Sequence, residues 1–187
     1  RGAGSDIPDH QGLVTNFAAD RFAASVEESL TKLGTDHVDL LLLHWPGGSD
    51  VPRAVQIDQL NRVQARGLTR HIGVSNYSIA QMNEAVRLSD APLVTNQVEY
   101  HPYLSQATLL DAALARGMSL TAYYSLAEGK VAQDPMLQEI GRAHGKTAAQ
   151  VALRWLIQQP GVAALTKTAR IARLPENFGI FDFELNE

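Results

Sequence analysis

Val38-Asp-Leu-Leu-Leu-Leu-His-Trp-Pro46 is the stretch on which the fold turns. Its apolar run shows no polar alternation and is too short for an isolated helix, so it reads as a strand buried on both faces, as in parallel sheets. Proline lacks the N–H that a central strand must donate, so the strand stops before Pro46. His44 and Trp45 therefore sit where the strand leaves the sheet. In α/β proteins that carboxyl end is where ligands bind and catalytic side chains project.

Working outward, the strand is preceded by a helix pattern. Phe22, Val26, Leu30 and Leu33 recur every three or four residues, and Gly34 closes the segment. Further upstream, residues 1–12 are rich in Gly, Pro and Asp and read as a helix end and loop, and residues 13–15 as a strand stub. Downstream the same unit repeats. Ile57, Leu60 and Val63 share a helix face ending near Gly67, and His71 starts a short strand that finishes on Ser75 and Asn76. Ser78 with Gln81 fits a capping box ahead of Met82, Val86 and Leu88. A strand from Leu93 to Val98 runs into Gln97, Glu99, Tyr100 and His101; Ser105 can cap a helix carrying Leu109, Ala113 and Leu114. A strand from Leu120 to Tyr124 precedes a loop at residues 127–134. Thr147 with Gln150 fits a second capping box before Val151, Trp155 and Leu156, in a helix that Pro160 ends. Residues 162–165 form a last strand and residues 177–185 an irregular tail.

Strands alternating with helices mean βαβ units and a parallel sheet. That leaves an open doubly wound sheet or a closed (β/α) barrel. No Gly-x-Gly-x-x-Gly follows the first strand, which weakens the dinucleotide-binding open sheet. Polar residues end several strands in succession, the pattern of a barrel whose site draws on many strand ends.

Composition narrows the function classes. Of the 187 residues, 45% are hydrophobic and 19% charged, an ordinary globular balance. Twenty acidic against sixteen basic residues give a net charge of −4, and no block of like charges stands out, so nucleic acid and anionic membrane are poor partners. There is no cysteine, hence no need of an oxidising compartment and no thiolate metal site; six histidines leave a non-thiolate site open. No apolar run approaches the ~20 residues that span a bilayer. The first residues carry no signal-peptide apolar region and read as interior sequence, and a cytoplasmic location is expected.

Five motifs in order carry a resemblance. His44-Trp-Pro after the leucine-rich strand, Ile72-Gly-Val-Ser-Asn-Tyr77, Asn96-Gln-Val-Glu-Tyr-His-Pro102, Gly145-Lys-Thr-Ala-Ala-Gln-Val-Ala-Leu-Arg-Trp155, and Glu176-Asn-Phe with Phe181-Asp-Phe-Glu-Leu185 together resemble the aldo-keto reductase family. Within it they are most similar to the bacterial branch that includes 2,5-diketo-D-gluconate reductases, from about Asn16 onward. The resemblance implies a single-domain (β/α)8 TIM barrel that binds NADPH without a Rossmann domain and transfers hydride to an aldehyde or ketone.

It also implies roles. A tetrad of Asp, Tyr, Lys and His is expected, with His44 as the histidine. An imidazole there can hydrogen-bond the substrate carbonyl oxygen as hydride arrives. By spacing alone, His44 is equally a hydrogen-bonded residue ending a strand. Ser75, Asn76 and Gln97 match the residues that bind the nicotinamide carboxamide, although Ser-Asn is also ordinary turn chemistry. Tyr123 matches the aromatic that stacks on the nicotinamide; Tyr124 is a rival, because Tyr-Tyr-Ser replaces the usual Tyr-Ser-Pro, and a core aromatic is the bland alternative. Leu126 falls with the cofactor-binding residues. Lys167, Thr168 and Arg173 match the 2′-phosphate end, and Glu176 and Asn177 the adenine end, where a solvated charged loop is the plain alternative. Thr168 keeps the hydroxyl of the usual serine, and Ala164-Leu-Thr stands for the usual Ile-Pro before the lysine. Trp45 offers substrates a flat apolar wall. Asp39 matches a buried structural aspartate, and His71, His101 and Trp155 read as core or supporting residues, with His101 nearest the site.

The family's tetrad aspartate and tyrosine precede Arg1, and its lysine follows a strand where this chain runs from Val14-Thr15 straight into Asn16-Phe17. The barrel is thus incomplete: five strands and a stub, in a chain shorter than the roughly 250 residues of a whole barrel. These residues are expected to be the ordered part of a longer chain, with its N-terminal strands missing and a break near residues 15–16. The expected form is a monomer acting on a small carbonyl compound. Two other readings stay open: a non-catalytic nucleotide-binding barrel like potassium-channel β subunits, and an inactive half-barrel fragment.

Overall fold

The computed structural model describes residues 19–46 and 51–186. The strand at the organising stretch, β1 (Val38–Leu43), is followed by β2 (Thr69–Ser75), β3 (Leu93–Glu99), β4 (Ser119–Tyr123) and β5 (Val162–Ala164). All pair in parallel, in sequential order β1-β2-β3-β4-β5. Sequential parallel strands joined by helices are five of the eight strands of a (β/α)8 barrel.

The helices are α1 (Ala19–Leu33), α2 (Arg53–Ala65), α3 (Ile79–Leu88), α4 (Ala107–Leu114), α5 (Pro135–His144), α6 (Ala148–Ile157) and α7 (Leu174–Phe178). Ile57 and Leu60 of α2, Met82 of α3, Ala113 of α4 and Leu156 of α6 form one fully buried cluster with Ile72, Val74, Leu120 and Ala122 of the strands. Val26 and Leu30 of α1 pack separately with Val63, and α5 and α6 close over Ala127, Val131 and Val151. Both capping boxes are present, Ser78 with Gln81 and Thr147 with Gln150.

The opposite sheet face is polar. Ser75 pairs in register with Gln97, Gln97 with Thr121, and Glu99 with Tyr123, so these side chains share the face turned away from the helices.

Several expectations are corrected. β1 is buried on its helix side only: Leu43 is 2% exposed, whereas Leu40, on the polar face, is 39% exposed, because β1 pairs only with β2 among the described residues. Asp39 is exposed rather than buried and pairs with Arg70 Nη1 at 2.6 Å. His71 also lies exposed, on the open face opposite Leu40. The N-cap of α4 is Gln106, not Ser105, and it makes no side-chain capping bond. Leu110, not Leu114, is the buried leucine of that helix. Helix α5, capped by Asp134 and ended by Gly145 in the left-handed region, follows a 3-10 segment at Ala127–Gln133 that the sequence read as loop. Part of the expected tail is helical, in α7. The stub at residues 13–15 and the break near 15–16 lie outside the described residues.

Candidate functional site

The candidate site is built where β1, β2, β3 and β4 end. Past β1, His44 and Trp45 are exposed, their rings 6.0 Å apart, and the His44 imidazole makes no hydrogen bond among the described residues. Past β2, Asn76 adopts a left-handed backbone, φ +63°, which asparagine tolerates better than most residues. That turn brings its side chain back across the strand ends. Asn76 Nδ2 donates to the His44 carbonyl (3.0 Å) and to Ser75 Oγ (3.1 Å), and its Oδ1 accepts from the Tyr123 hydroxyl (2.9 Å). The backbone N–H of Asn76 and the hydroxyl of Ser75 both donate to the Gln97 carbonyl, at 2.8 and 2.9 Å.

Thus Asn76 joins four residues that the sequence placed in one site: His44, Ser75, Gln97 and Tyr123. The Gln97 carboxamide itself is half-buried and makes no hydrogen bond among the described residues, so its donor and acceptor are both available to a planar amide. Burial pushes the Tyr123 phenol above its usual range, and the charge of Glu99 adds to the shift. Tyr124 has positive φ and is 42% exposed, its ring 5.6 Å from that of Tyr123. Only Tyr123 is tied to Asn76.

The second group sits past β5. The β4 and β5 ends are laced together: Leu165 N–H donates to Ala122 O (2.9 Å), and the buried Ser125 hydroxyl reaches Leu165 O (2.9 Å). Leu126 is half-buried against the α5–α6 cluster. Lys167 and Arg173 are exposed and form no ion pair among the described residues, and neither does Arg170, which sequence reasoning passed over although its spacing from both was visible. The Thr168 hydroxyl is occupied by the Arg170 backbone, accepting its N–H at 3.0 Å. Glu176 accepts from Thr147 Oγ1 (2.9 Å), and Asn177 donates to Thr166 Oγ1 (3.0 Å). This group is continuous with the first through β4 and β5 but shares no hydrogen bond with Asn76.

Sequence reasoning also missed how His101 relates to the site. His101 is 8% exposed and bonds Glu99 at 3.1 Å, so it touches the polar face through a carboxylate rather than directly. Among the described residues no His, Asp and Glu cluster could hold a metal ion, and no helix is long and apolar enough to cross a membrane.

Comparison with known proteins identifies the family and the fold. Residues 10–187 match the aldo/keto reductase family. Methylglyoxal reductase DkgB of Yersinia pestis is 37% identical over 88% of this chain and 62% of its own length. A crystal structure of a protein provisionally described as a 2,5-diketo-D-gluconic acid reductase B is 64% identical, with a TM-score of 0.89 over 91% of this chain and 60% of the other. A solved aldo-keto reductase complexed with NADPH superposes with a TM-score of 0.84 at 33% identity, over 91% of this chain and 57% of the other. The chain therefore spans about three fifths of the length of these relatives. By sequence and by fold, the chain belongs to the aldo/keto reductase family.

Proposed function

We propose that this chain supplies the histidine side and the cofactor cradle of an NADPH-dependent reductase that converts a small aldehyde or ketone to an alcohol. The observation that carries the reading is the Asn76-centred bond set, which fixes four strand ends around one amide and one imidazole that have no hydrogen-bond partner among the described residues. The named activities of the relatives point the same way, and the 2-oxoaldehydes in those names are the first substrates to try.

The residues fit a nicotinamide nucleotide. The free carboxamide of Gln97 can pair with a planar amide, and Ser75 and Asn76 set its plane. Tyr123 presents an aromatic face held by its hydroxyl. Lys167 and Arg173 are cations without carboxylate partners among the described residues, suited to a phosphate as point charge and fork. Thr168 would act through the short turn it makes with Arg170, and Leu126 through the turn it begins. Glu176 has one oxygen without a partner among the described residues, available to an exocyclic amine beside Asn177. When bound, the cofactor supplies the hydride. His44 hydrogen-bonds the carbonyl oxygen, drawing charge onto it, and Trp45 walls the substrate's apolar side.

The test is the loss of reduced-nicotinamide absorbance with methylglyoxal and a small aldehyde panel, wild type beside His44→Ala. Turnover that falls roughly a hundredfold in the variant supports the reading. Equal turnover in both removes His44 from the chemistry; NADPH binding without any turnover replaces the reductase by a non-catalytic nucleotide-binding barrel.

A further inference from the structure

The polar sheet face carries a carboxylate that the reading above leaves unused. Glu99 follows Gln97 by two residues on β3, on the same side, and is the register partner of Tyr123. It forms no bond to a lysine or arginine among the described residues; its partner is an imidazole.

That imidazole is locked. His101 Nδ1 accepts the Tyr103 backbone N–H at 3.3 Å, so Nδ1 carries no proton and the ring proton lies on Nε2, 3.1 Å from Glu99 Oε1. Tyr103 donates its hydroxyl to Asp134 Oδ2 at 2.8 Å, while Asp134 Oδ1 caps the start of α5 through Met136 and Leu137 N–H. Gln106 Nε2 pins the Glu99 carbonyl at 2.9 Å. The carboxylate is thus the end of a bonded chain that starts at a helix N-terminus. The imidazole holds Glu99 in place, and no lysine or arginine among the described residues pairs with its carboxylate. The carboxylate's charge reaches Tyr123, whose phenol it helps to push upward.

Granting the nucleotide reading, in which Tyr123 would carry the nicotinamide, a ring held there would differ in charge between its reduced and oxidised forms. Reduced nicotinamide is neutral, and the oxidised form, poorer by one hydride, is a cation. We propose that Glu99, oriented by His101, is the residue that discriminates the oxidised from the reduced cofactor, tightening the cationic form and making bound NADPH the stronger hydride donor. Glu99 acts by its field, and His101 is its positioning residue.

The experiment is fluorescence and calorimetric titration of wild type, Glu99→Gln, Glu99→Asp and His101→Ala with NADPH and with NADP+. Glu99→Gln keeps the shape and an acceptor for His101 while removing the charge. It is expected to leave the NADPH Kd within about twofold and to weaken NADP+ by about three- to tenfold, the effect of one half-exposed charge in partly wet protein. Glu99→Asp keeps the charge and should fall between wild type and Glu99→Gln; His101→Ala, which frees the carboxylate, should show a smaller change of the same sign. The difference between the two cofactors should shrink as salt is raised. A Kd ratio unchanged in Glu99→Gln overturns the proposal. Equal weakening of both cofactors also overturns it, since that is the signature of a structural role. Wild type that binds neither cofactor refutes the nucleotide reading, and the inference falls with it.

Discussion

Replacing Asn76 by alanine should cost about 3 kcal/mol of stability, and the figure follows from what the side chain does. It makes three hydrogen bonds, to the His44 carbonyl, Ser75 Oγ and the Tyr123 hydroxyl. At a half-buried position each contributes about 0.5–1 kcal/mol net, or about 2 kcal/mol for the set. The backbone at φ +63° adds about 1 kcal/mol for alanine, whose Cβ meets the neighbouring carbonyl there and which has no side-chain oxygen to compensate. For a chain of this length that corresponds to a Tm lower by about 6–12 °C. Tyr123→Phe removes only the shared bond and should cost about 1 kcal/mol. In the double variant the two losses should fall short of their sum by about 1 kcal/mol, because the same bond is lost in both. Denaturant melts of the four proteins complete the cycle. An Asn76→Ala protein melting within a degree of wild type, or strictly additive losses, would show that Asn76 does not tie these strand ends together.

Two further outcomes follow from the same geometry. A Cβ on Gly73 would sit 2.8 Å from both Leu42 Cδ2 and the Thr95 carbonyl. Gly73→Ala is therefore expected to destabilise by about 1–3 kcal/mol, read from the denaturant midpoint, and to weaken NADPH binding by displacing Gln97; an unchanged midpoint and affinity would contradict the close packing of β2 on β3. The Asp134–Tyr103 pair should give stability a slope at each pH extreme. Asp134 is held below 3.8, first by the Leu137 N–H, so its contribution is present above that value and is lost as pH falls through the lower folded value. Tyr103 is pushed from 10.0 up to about 12, by burial and then by the hydrogen bond to Asp134, so its contribution is full below pH 10.0 and drains away as pH rises towards 12. Asp134→Ala should flatten the acid slope and lessen the alkaline one in melts across pH; slopes like those of wild type would rule out the pair.

Most of the architecture was readable from period and punctuation. Ile57, Leu60 and Val63 recur on one helix face and are each no more than 1% exposed, because a three- to four-residue apolar period has few other ways to be buried. Ser78 and Thr147 announced their helices because each has glutamine three residues on, and both boxes close. Helix α5 escaped because its signals, Asp134-Pro135 at the start and Gly145 at the end, lie in a segment whose first half looks like a turn. That half is a turn: Tyr124, Ala127, Glu128 and Gly129 all have positive φ. Burial of Asp39 could not be judged from an apolar neighbourhood in sequence. Its exposure depends on which strand lies alongside β1, and that is a tertiary fact. At the site, the family resemblance proposed the members, but not that Asn76 spends its side chain on protein partners while the Gln97 carboxamide has none among the described residues.

The register of β3 explains that division. Ile72 pairs with Leu93 but Val74 pairs with Asn96, so β3 holds one extra residue opposite Gly73. Such a bulge moves every later residue of β3 along by one position and hence to the other face. Without it, Asn96 would lie beside Ser75 on the polar face, and Gln97 and Glu99 would point into the helix layer. With it, Asn96 is fully buried on the helix side and satisfied by the Tyr77 backbone, accepting its N–H at 3.3 Å and donating to its carbonyl at 2.9 Å. That pair of bonds holds the β2–α3 turn to β3 and makes any other register leave a buried amide unpaired. Glycine at 73 is what lets the bulged strand approach so closely, with the Thr95 carbonyl where a Cβ would otherwise stand. One glycine and one buried asparagine thus put Gln97 beside Ser75 and Glu99 beside Tyr123.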